Sequence, residues 1–155
     1  MTSNGAGAAP TFQAAGVTET GGTWTPVITD DSLSGAESQA TSTAVGTWRR
    51  YGDTIHVWGK FDVSSLGSLT TSQGLKIIGL PVAAVNVANY FGIVSMGDVL
   101  GLSITAGYSL TGYITANTSH ITVKLWDATN GNSALLLSEL TAGGSMNFHS
   151  VYRAA

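Results

Sequence analysis

The sequence lacks cysteine and is poor in charge, and both absences narrow its chemistry. Without Cys, the chain has no disulfide framework, no thiolate nucleophile and no zinc site built on thiolates. Only 10% of the residues are charged, with six Lys and Arg against nine acidic residues and a net charge of −3. This balance offers no basic surface for nucleic acid or an anionic membrane. It also excludes a coiled coil, which needs abundant Glu, Lys and Arg.

Targeting signals and long hydrophobic runs are also missing. Residues 1–22 carry no basic segment followed by an apolar one, so we expect no secretory signal. Apolar stretches elsewhere are short and broken by Gly, Ser or Asn, so we expect no membrane insertion. We therefore expect the protein to leave a cell by lysis or within an assembly.

Glycine is abundant, at 20 of 155 positions, beside a hydrophobic fraction of 43%. That fraction is large enough for a sizeable core and too large for a disordered chain, and the length fits one domain. Residues 1–22 are rich in Gly, Ala, Ser and Thr, and we interpret them as an extended docking arm with Phe12 and Val17 as candidate anchors. Residues 23–155 form the predicted β-sandwich domain.

From Trp24 onward, the pattern is that of short β-strands separated by polar turns. Residues 43–51 and 54–63 predict a hairpin closed at Gly52-Asp53. Further strands are predicted at residues 24–29, with Pro26 marking an edge or a strand start, and at 75–79, 88–96, 101–106, 109–116, 120–126 and 146–153. Residues 133–140 fit either a strand or a helical turn, and 141–145 a glycine-rich turn. Strands spaced about ten residues apart predict an all-β, antiparallel β-sandwich of the jelly-roll kind.

Two of these strands alternate apolar and polar residues, and tryptophan occurs on both polar faces. In 54–63 the inward residues are Ile55, Val57, Phe61 and Val63, and the outward ones are His56, Trp58, Lys60 and Asp62. In 120–126 the inward residues are Ile121, Val123 and Leu125, and the outward ones are His120, Thr122, Lys124 and Trp126. Exposed Trp is uncommon on a single domain, so we interpret both outward groups as subunit-interface residues. A sugar-binding platform is the alternative, since a Trp face can stack on a pyranose ring.

The sequence contains no arrangement of reactive groups that predicts catalysis. A nucleophile elbow and a phosphate-binding loop are absent, and the three His residues are far apart with no metal-ligand spacing. Carboxylates fall in or beside turns, where they usually accept hydrogen bonds from backbone N–H groups. We therefore expect no catalytic residue, metal site or cofactor. Because Arg49 and Arg50 are adjacent in a strand, one should face the packed side or an interface and need a carboxylate partner there.

Several short motifs follow one another along the chain. They are Gly22-Thr23-Trp24-Thr25-Pro26-Val27, the run from Trp48 to Gly59, Gly79-Leu80-Pro81, the segment from Ala116 to Ile121, and the closing Ser150-Val151-Tyr152-Arg153. In this order they resemble the C-terminal modules of tail fibres and tail spikes of tailed phages, and the segment from Thr2 to Phe12 resembles the stretch preceding such modules. The resemblance covers nearly the whole chain and implies a homotrimeric β-sandwich on a virion, often one that recognises host-surface glycan. It transfers no catalytic residue, because the similar modules are generally not the enzymatic part of a spike.

Together these observations predict a non-enzymatic structural protein of a tailed-phage virion surface, made in the host cytoplasm. We expect a small homotrimer docked through its arm on other virion proteins, first of all as a capsid-decorating (cement or head-fibre) protein, because the chain is short. The alternative is the receptor-binding tip of a tail fibre or tail spike, with Trp58 or Trp126 contacting host-surface polysaccharide.

Overall fold

The computed structural model describes residues 18–155, and the predicted anchors Phe12 and Val17 lie outside that range. The elements are β1 (Glu19–Trp24), β2 (Val27–Thr29), β3 (Ala40–Tyr51), β4 (Thr54–Ser65), β5 (Lys76–Ile78), β6 (Phe91–Leu102), β7 (Ser109–Thr115), β8 (His120–Asp127), β9 (Gly131–Ala134), a 3₁₀ turn (Leu137–Glu139) and β10 (Leu140–Arg153). Within residues 18–155, no helix is long and apolar enough to cross a membrane.

All the named strands belong to one antiparallel sheet. Its order is β1-β3-β4-β10-β6-β7-β8-β5-β2, with β9 paired to β8. The all-β antiparallel fold predicted from the sequence is confirmed, and the sheet is curled into a half-barrel. Where we expected a sandwich of two sheets, the strands hydrogen-bond in one unbroken series, so curvature of a single sheet encloses the core.

The predicted hairpin is present as β3 and β4, with Gly52 in the turn at a φ of 63°. Alternation in β4 also holds, because the inward residues Ile55, Val57, Phe61 and Val63 are all buried. We call the face bearing these residues the inner face and the opposite one the outer face. The inner face is completed from β10, β7, β8 and β5 by Met146, Phe148, Tyr152, Ile114, Ile121, Val123, Leu125 and Ile77.

The predicted strand 24–29 is interrupted at Thr25-Pro26. Trp24 ends β1, which pairs with β3, whereas Val27 begins β2, which pairs with β5. These two strands terminate opposite ends of the sheet order, so Pro26 lies between two edge strands. The edge position fits a residue without a backbone N–H. β1 begins at Glu19, so the last four residues of the range interpreted as an arm pair with β3.

One strand prediction and one turn prediction are wrong. Residues 101–106 do not form a separate strand, because β6 continues from Phe91 to Leu102. Residues 141–145 lie within β10, where the register against β6 shifts between Leu140 and Ser145. The glycines at 143 and 144 produce an irregularity in a continuous strand, with Gly143 at a φ of 90°. The undecided segment 133–140 contains both alternatives, the end of β9 and the 3₁₀ turn.

Candidate functional site

The outward residues of β4 lie on the outer face, as predicted. Trp58 is 43% exposed, and its direct cross-strand neighbours are Thr47 on β3 and His149 on β10. His56 pairs with Arg49 and Val151 in the adjacent row, and Lys60 lies in the row on the other side of Trp58. The sequence therefore placed His56, Trp58 and Lys60 on the correct face.

The central feature of this face is a stack of three rings. Trp58 lies nearly parallel to His149, with centroids 5.1 Å apart, and to His56, with centroids 6.1 Å apart. Tyr51 meets His56 edge-on at 5.8 Å. Side chains from strands distant in sequence thus form a continuous aromatic surface.

Apolar side chains extend this surface across β10 and β6. Val151 pairs with Ile93, and Ile93 in turn pairs with Tyr113 on β7. Phe91 meets Tyr113 edge-on at 5.5 Å. We call the whole set the outer aromatic face: Tyr51, His56, Trp58, Phe91, Ile93, Tyr113, His149 and Val151. It spans five neighbouring strands, roughly 19 Å at about 4.8 Å per strand.

The sequence analysis missed the residues of β10, β6 and β7 in this set. A signal was available in β6, where Phe91 and Ile93 are apolar although the neighbouring positions Gly92 and Val94 already face the core. An apolar pattern on both faces of a strand is typical of a strand that is buried on both sides. No local sequence pattern could show that these residues lie next to the Trp58 group, because this depends on β10 lying between β4 and β6.

Two glycines near Trp58 allow core side chains to pack against the backbone that carries it. Gly46 and Gly59 are opposite one another on β3 and β4, with inner-face space that is filled by the rings of Trp24 and Phe148. Those rings meet edge-on at 6.0 Å, and Trp24 Nε1 donates to the carbonyl oxygen of Trp58 at 3.1 Å. The backbone that carries Trp58 is thereby held to the core.

A pocket of about 590 Å³ opens beside Trp58. Strands β1, β3, β4 and β10 line it, and its walls include Trp24, Val45, Trp58, Lys60, Asn147 and Phe148. Its volume lies within the range of small-molecule and side-chain binding pockets, roughly 300–1,000 Å³. The outer aromatic face therefore combines an apolar projection on β6 with a recess by β3 and β4.

The surroundings of His149 favour its neutral form. Burial, and then the nearby His56, lower the pKa of His149 below its usual 6.5. On one side of His149, β4 presents two titratable groups, His56 and Lys60. On the other side, β6 presents Ser95 and Ile93, which carry no titratable group. Among the described residues, its Nε2 atom is buried without a hydrogen-bond partner. A neutral imidazole in this place suits an apolar contact surface.

Ion pairs within the subunit border the outer aromatic face. They join Arg49 to Glu19 at 3.5 Å, Lys60 to Asp62 at 3.4 Å and Arg153 to Asp53 at 3.0 Å. The predicted carboxylate partner therefore belongs to Arg49, which lies on the outer face. Arg50 has the inner-face register opposite Ile55, but its Nε donates to the Gly52 carbonyl oxygen, so the expectation of a carboxylate there is wrong. The physical reason is that Arg50 lies near the sheet end, where a backbone acceptor is within reach.

The second predicted group lies on β8, on the same side of the sheet but separated from β4 by the three strands β10, β6 and β7. Trp126 is 50% exposed, and its cross-strand neighbours are Ser109 on β7 and Asn132 on β9. Lys124 lies one row away, beside Thr111. The two tryptophan groups are thus separate features.

His120 lies at the other end of β8, opposite Ile78. Burial, and then the charge of Lys76, lower the pKa of its imidazole. Thr122, predicted to point outward into solvent, is buried, because Lys76 covers it and donates to its hydroxyl at 3.3 Å. The structure therefore does not bring His120 together with Trp126 in one site.

Carboxylates in the turns bind backbone N–H groups, as predicted. Asp30 accepts from Ser32 and Thr70 at 2.8 and 3.0 Å, and Glu139 accepts from Leu136 at 2.8 Å. Asp127 accepts from the N–H groups of residues 129 and 130 at 2.6 and 2.8 Å, which lowers its pKa and orders the turn next to Trp126. In residues 18–155, no cluster of three His, Asp or Glu side chains is arranged to hold a metal ion.

Comparison with known proteins gives a likeness in fold. No protein-family model and no curated protein matches the chain. Among solved structures, the crystal structure of the Dettilon tailspike protein (gp208) matches with a TM-score of 0.69 and 19% identity over 88% of this chain. The match covers 24% of the tailspike chain, so this chain spans about a quarter of that protein's length. The chain therefore shares the fold of one part of a phage tailspike.

Proposed function

We propose that this chain is a non-enzymatic structural module of a tailed-phage virion, a homotrimer displayed on the virion surface as part of a tail fibre or tail spike. The observation that carries the proposal is the fold shared with part of a tailspike over 88% of the chain. The resemblance of the ordered sequence motifs points in the same direction.

The environment of the carboxylates supports a non-enzymatic role. Asp30, Asp127 and Glu139 are engaged with backbone N–H groups of turns, and Asp53 with Arg153. A catalytic acid or base should instead face a cleft, with its pKa tuned toward the working pH. Incubation with host polysaccharide should release no new reducing ends, and their appearance would contradict this part of the proposal.

The location on the virion is tested by electron microscopy with an antibody raised against the purified chain. Labelling at the tail with few copies per particle is the expected result. Dense labelling over the head would instead favour capsid decoration, the other location that the sequence predicted.

Truncation of residues 1–17 should abolish incorporation into the virion if Phe12 and Val17 anchor the arm, with the β domain still folded.

Receptor binding at Trp126 is a second candidate, favoured by its neighbours. A half-exposed indole flanked by the hydroxyl of Ser109 and the amide of Asn132 offers a stacking plane beside hydrogen-bonding groups. Such a platform suits the host-surface glycan that the sequence predicted as a ligand. Trp126→Ala should reduce adsorption to host cells about tenfold or more if stacking contributes about 1.4 kcal/mol or more. Trp126→Phe, which keeps a ring, serves as the matched control, and equal adsorption of the Ala variant and wild type would exclude this role.

A further inference from the structure

Apolar side chains on β6 and β10 project from the outer aromatic face, beside a recess of about 360 Å³ that Ser95, His149 and Ser150 line together with them. Ile93 is 73% exposed and Phe91 is 56% exposed, and both point to the same side of β6. Val151, 40% exposed, lies beside Ile93 across the β10–β6 pair. Contiguous exposed apolar surface on a small domain marks an interaction site, because leaving it in water is unfavourable. We call these three residues the projection.

The pocket beside Trp58 is lined by β1, β3, β4 and the Asn147–Phe148 part of β10, whereas the projection lies on β6 and further along β10 at Val151. Val45, 57% exposed, and Trp58 form part of its wall, and it is open enough to receive apolar side chains. One subunit therefore carries both a projecting and a receiving surface, at different places. A contact that seats one in the other is heterologous, and repetition of such a contact generates a closed ring when the rotation closes.

The charges around this surface favour another copy of the chain as the partner. The ion pairs Arg49–Glu19, Lys60–Asp62 and Arg153–Asp53 each cancel within the subunit. A polyanionic partner would need unpaired cations, and a strongly basic one would need unpaired carboxylates. A second copy brings the same neutral, aromatic surface and the same balanced border.

We propose that the projection of one subunit, Phe91, Ile93 and Val151, binds in the pocket beside Trp58 of an adjacent copy, closing a ring of three subunits. This assignment rests on the homotrimer of the proposed function and identifies the surfaces that form it. Burial of the ring stack Tyr51–His56–Trp58–His149 under the neighbouring subunit follows, while Trp126 on β8 stays free for a ligand.

The first test places a charge on each half of the contact. Ile93→Asp should weaken association by roughly 100-fold or more, because the carboxylate would be desolvated in a pocket whose one cation, Lys60, is already paired with Asp62. Val45→Asp should have a similar effect from the pocket side. Val87→Asp is the matched control, since Val87 is a 45% exposed valine in the loop before β6 that lines neither the pocket nor the recess beside the projection. Sedimentation equilibrium at micromolar concentrations measures the mass against the 15.9 kDa of one chain.

A mixing experiment tests the heterologous geometry. The Ile93→Asp subunit keeps an intact pocket and the Val45→Asp subunit an intact projection, so their mixture should form heterodimers that neither variant forms alone. Far-UV circular dichroism should be unchanged for both variants, because the replaced side chains are mostly exposed.

The outcomes separate this assignment from the proposed function. A trimeric wild type with a trimeric Ile93→Asp or Val45→Asp variant would overturn the assigned surfaces and leave the homotrimer standing. Two monomeric variants that form no heterodimer when mixed would overturn the projection-into-pocket contact. A wild type that is monomeric at micromolar concentrations would overturn both the homotrimer and the contact.

Discussion

An added methyl group at Gly46 should disturb the core and the support of Trp58 together. Gly46 lies on the inner face, and the indole of Trp24 packs directly over it. A Cβ there would lie 2.6 Å from Cε2 and 2.7 Å from Cδ1 of Trp24, whereas carbon atoms prefer separations of about 3.5–4.0 Å. Trp24 is only 8% exposed, so its ring can move away only by displacing other core residues.

The cost of Gly46→Ala has three parts. Overpacking of a core costs about 1–3 kcal/mol. Displacement of the indole also breaks the Nε1 bond to the Trp58 carbonyl, and an unpaired buried donor costs about 1–3 kcal/mol. Replacing a strand glycine by alanine returns about 0.5–1 kcal/mol. The net loss in free energy of unfolding should be roughly 2–4 kcal/mol, which lowers Tm by about 4–16 °C for a chain of this length.

Urea unfolding followed by tryptophan fluorescence measures this loss, at one fixed protein concentration because the proposed self-association would make the stability depend on concentration. Gly97→Ala is the matched control on β6, since its added Cβ would lie 3.6 Å from the Asn147 carbonyl oxygen, an ordinary contact. We expect this control to be unchanged or more stable by up to about 1 kcal/mol. Equal urea midpoints for the two variants would refute the reasoning.

Three further predictions concern buried polar groups. Hydrogen bonds from Ser32 and Thr70 lower the pKa of the Asp30 carboxyl from 3.8 to about 2, so its stabilisation is complete above pH 3.8 and is lost as the pH falls toward 2. Asp30→Ala should cost about 1.5–3 kcal/mol at neutral pH and remove this acid dependence, as measured by urea unfolding across pH. Tyr152→Phe removes the hydroxyl that donates to the Val82 carbonyl oxygen at 2.8 Å, and calorimetry should detect a loss of about 1 kcal/mol. Since burial and His56 lower the pKa of His149 below 6.5, folded-state stability should be complete above that pH and decline below it. His149→Gln should reduce the decline in unfolding free energy below pH 6.5, leaving the part due to His120, whose pKa is also lowered, and an unchanged pH profile would contradict the assignment to His149.

Local pattern in the sequence predicted much of the fold. Alternation in residues 54–63 and 120–126 identified core residues such as Phe61 and Val123 correctly, because side chains in a strand point alternately to opposite faces. The turn at Gly52-Asp53 could be predicted because a tight hairpin turn needs a positive φ, which glycine adopts easily and which Gly52 has in the structure. The turn predicted at residues 141–145 was wrong, because pairing with β6 at Leu140 and again from Ser145 keeps this irregular segment within one strand.

The candidate site was only half predictable. His56, Trp58 and Lys60 follow from the alternation of β4, and Trp126 and Lys124 from that of β8. The sequence did not predict that His149 would lie beside Trp58, or that Ile93 would lie beside Val151. The contact between these strands connects parts of the chain that are far apart.

The sequence by itself determined that the protein is antiparallel all-β, which strand residues face the core, and that Trp58 and Trp126 lie on the outer face. Tertiary structure alone decided that the strands form one curled sheet, that β10 lies between β4 and β6, and that the two tryptophan groups are separate. The physical reason is one of range. The direction in which a side chain points depends on its own strand, whereas its neighbours depend on a strand order that is selected by packing of the whole core.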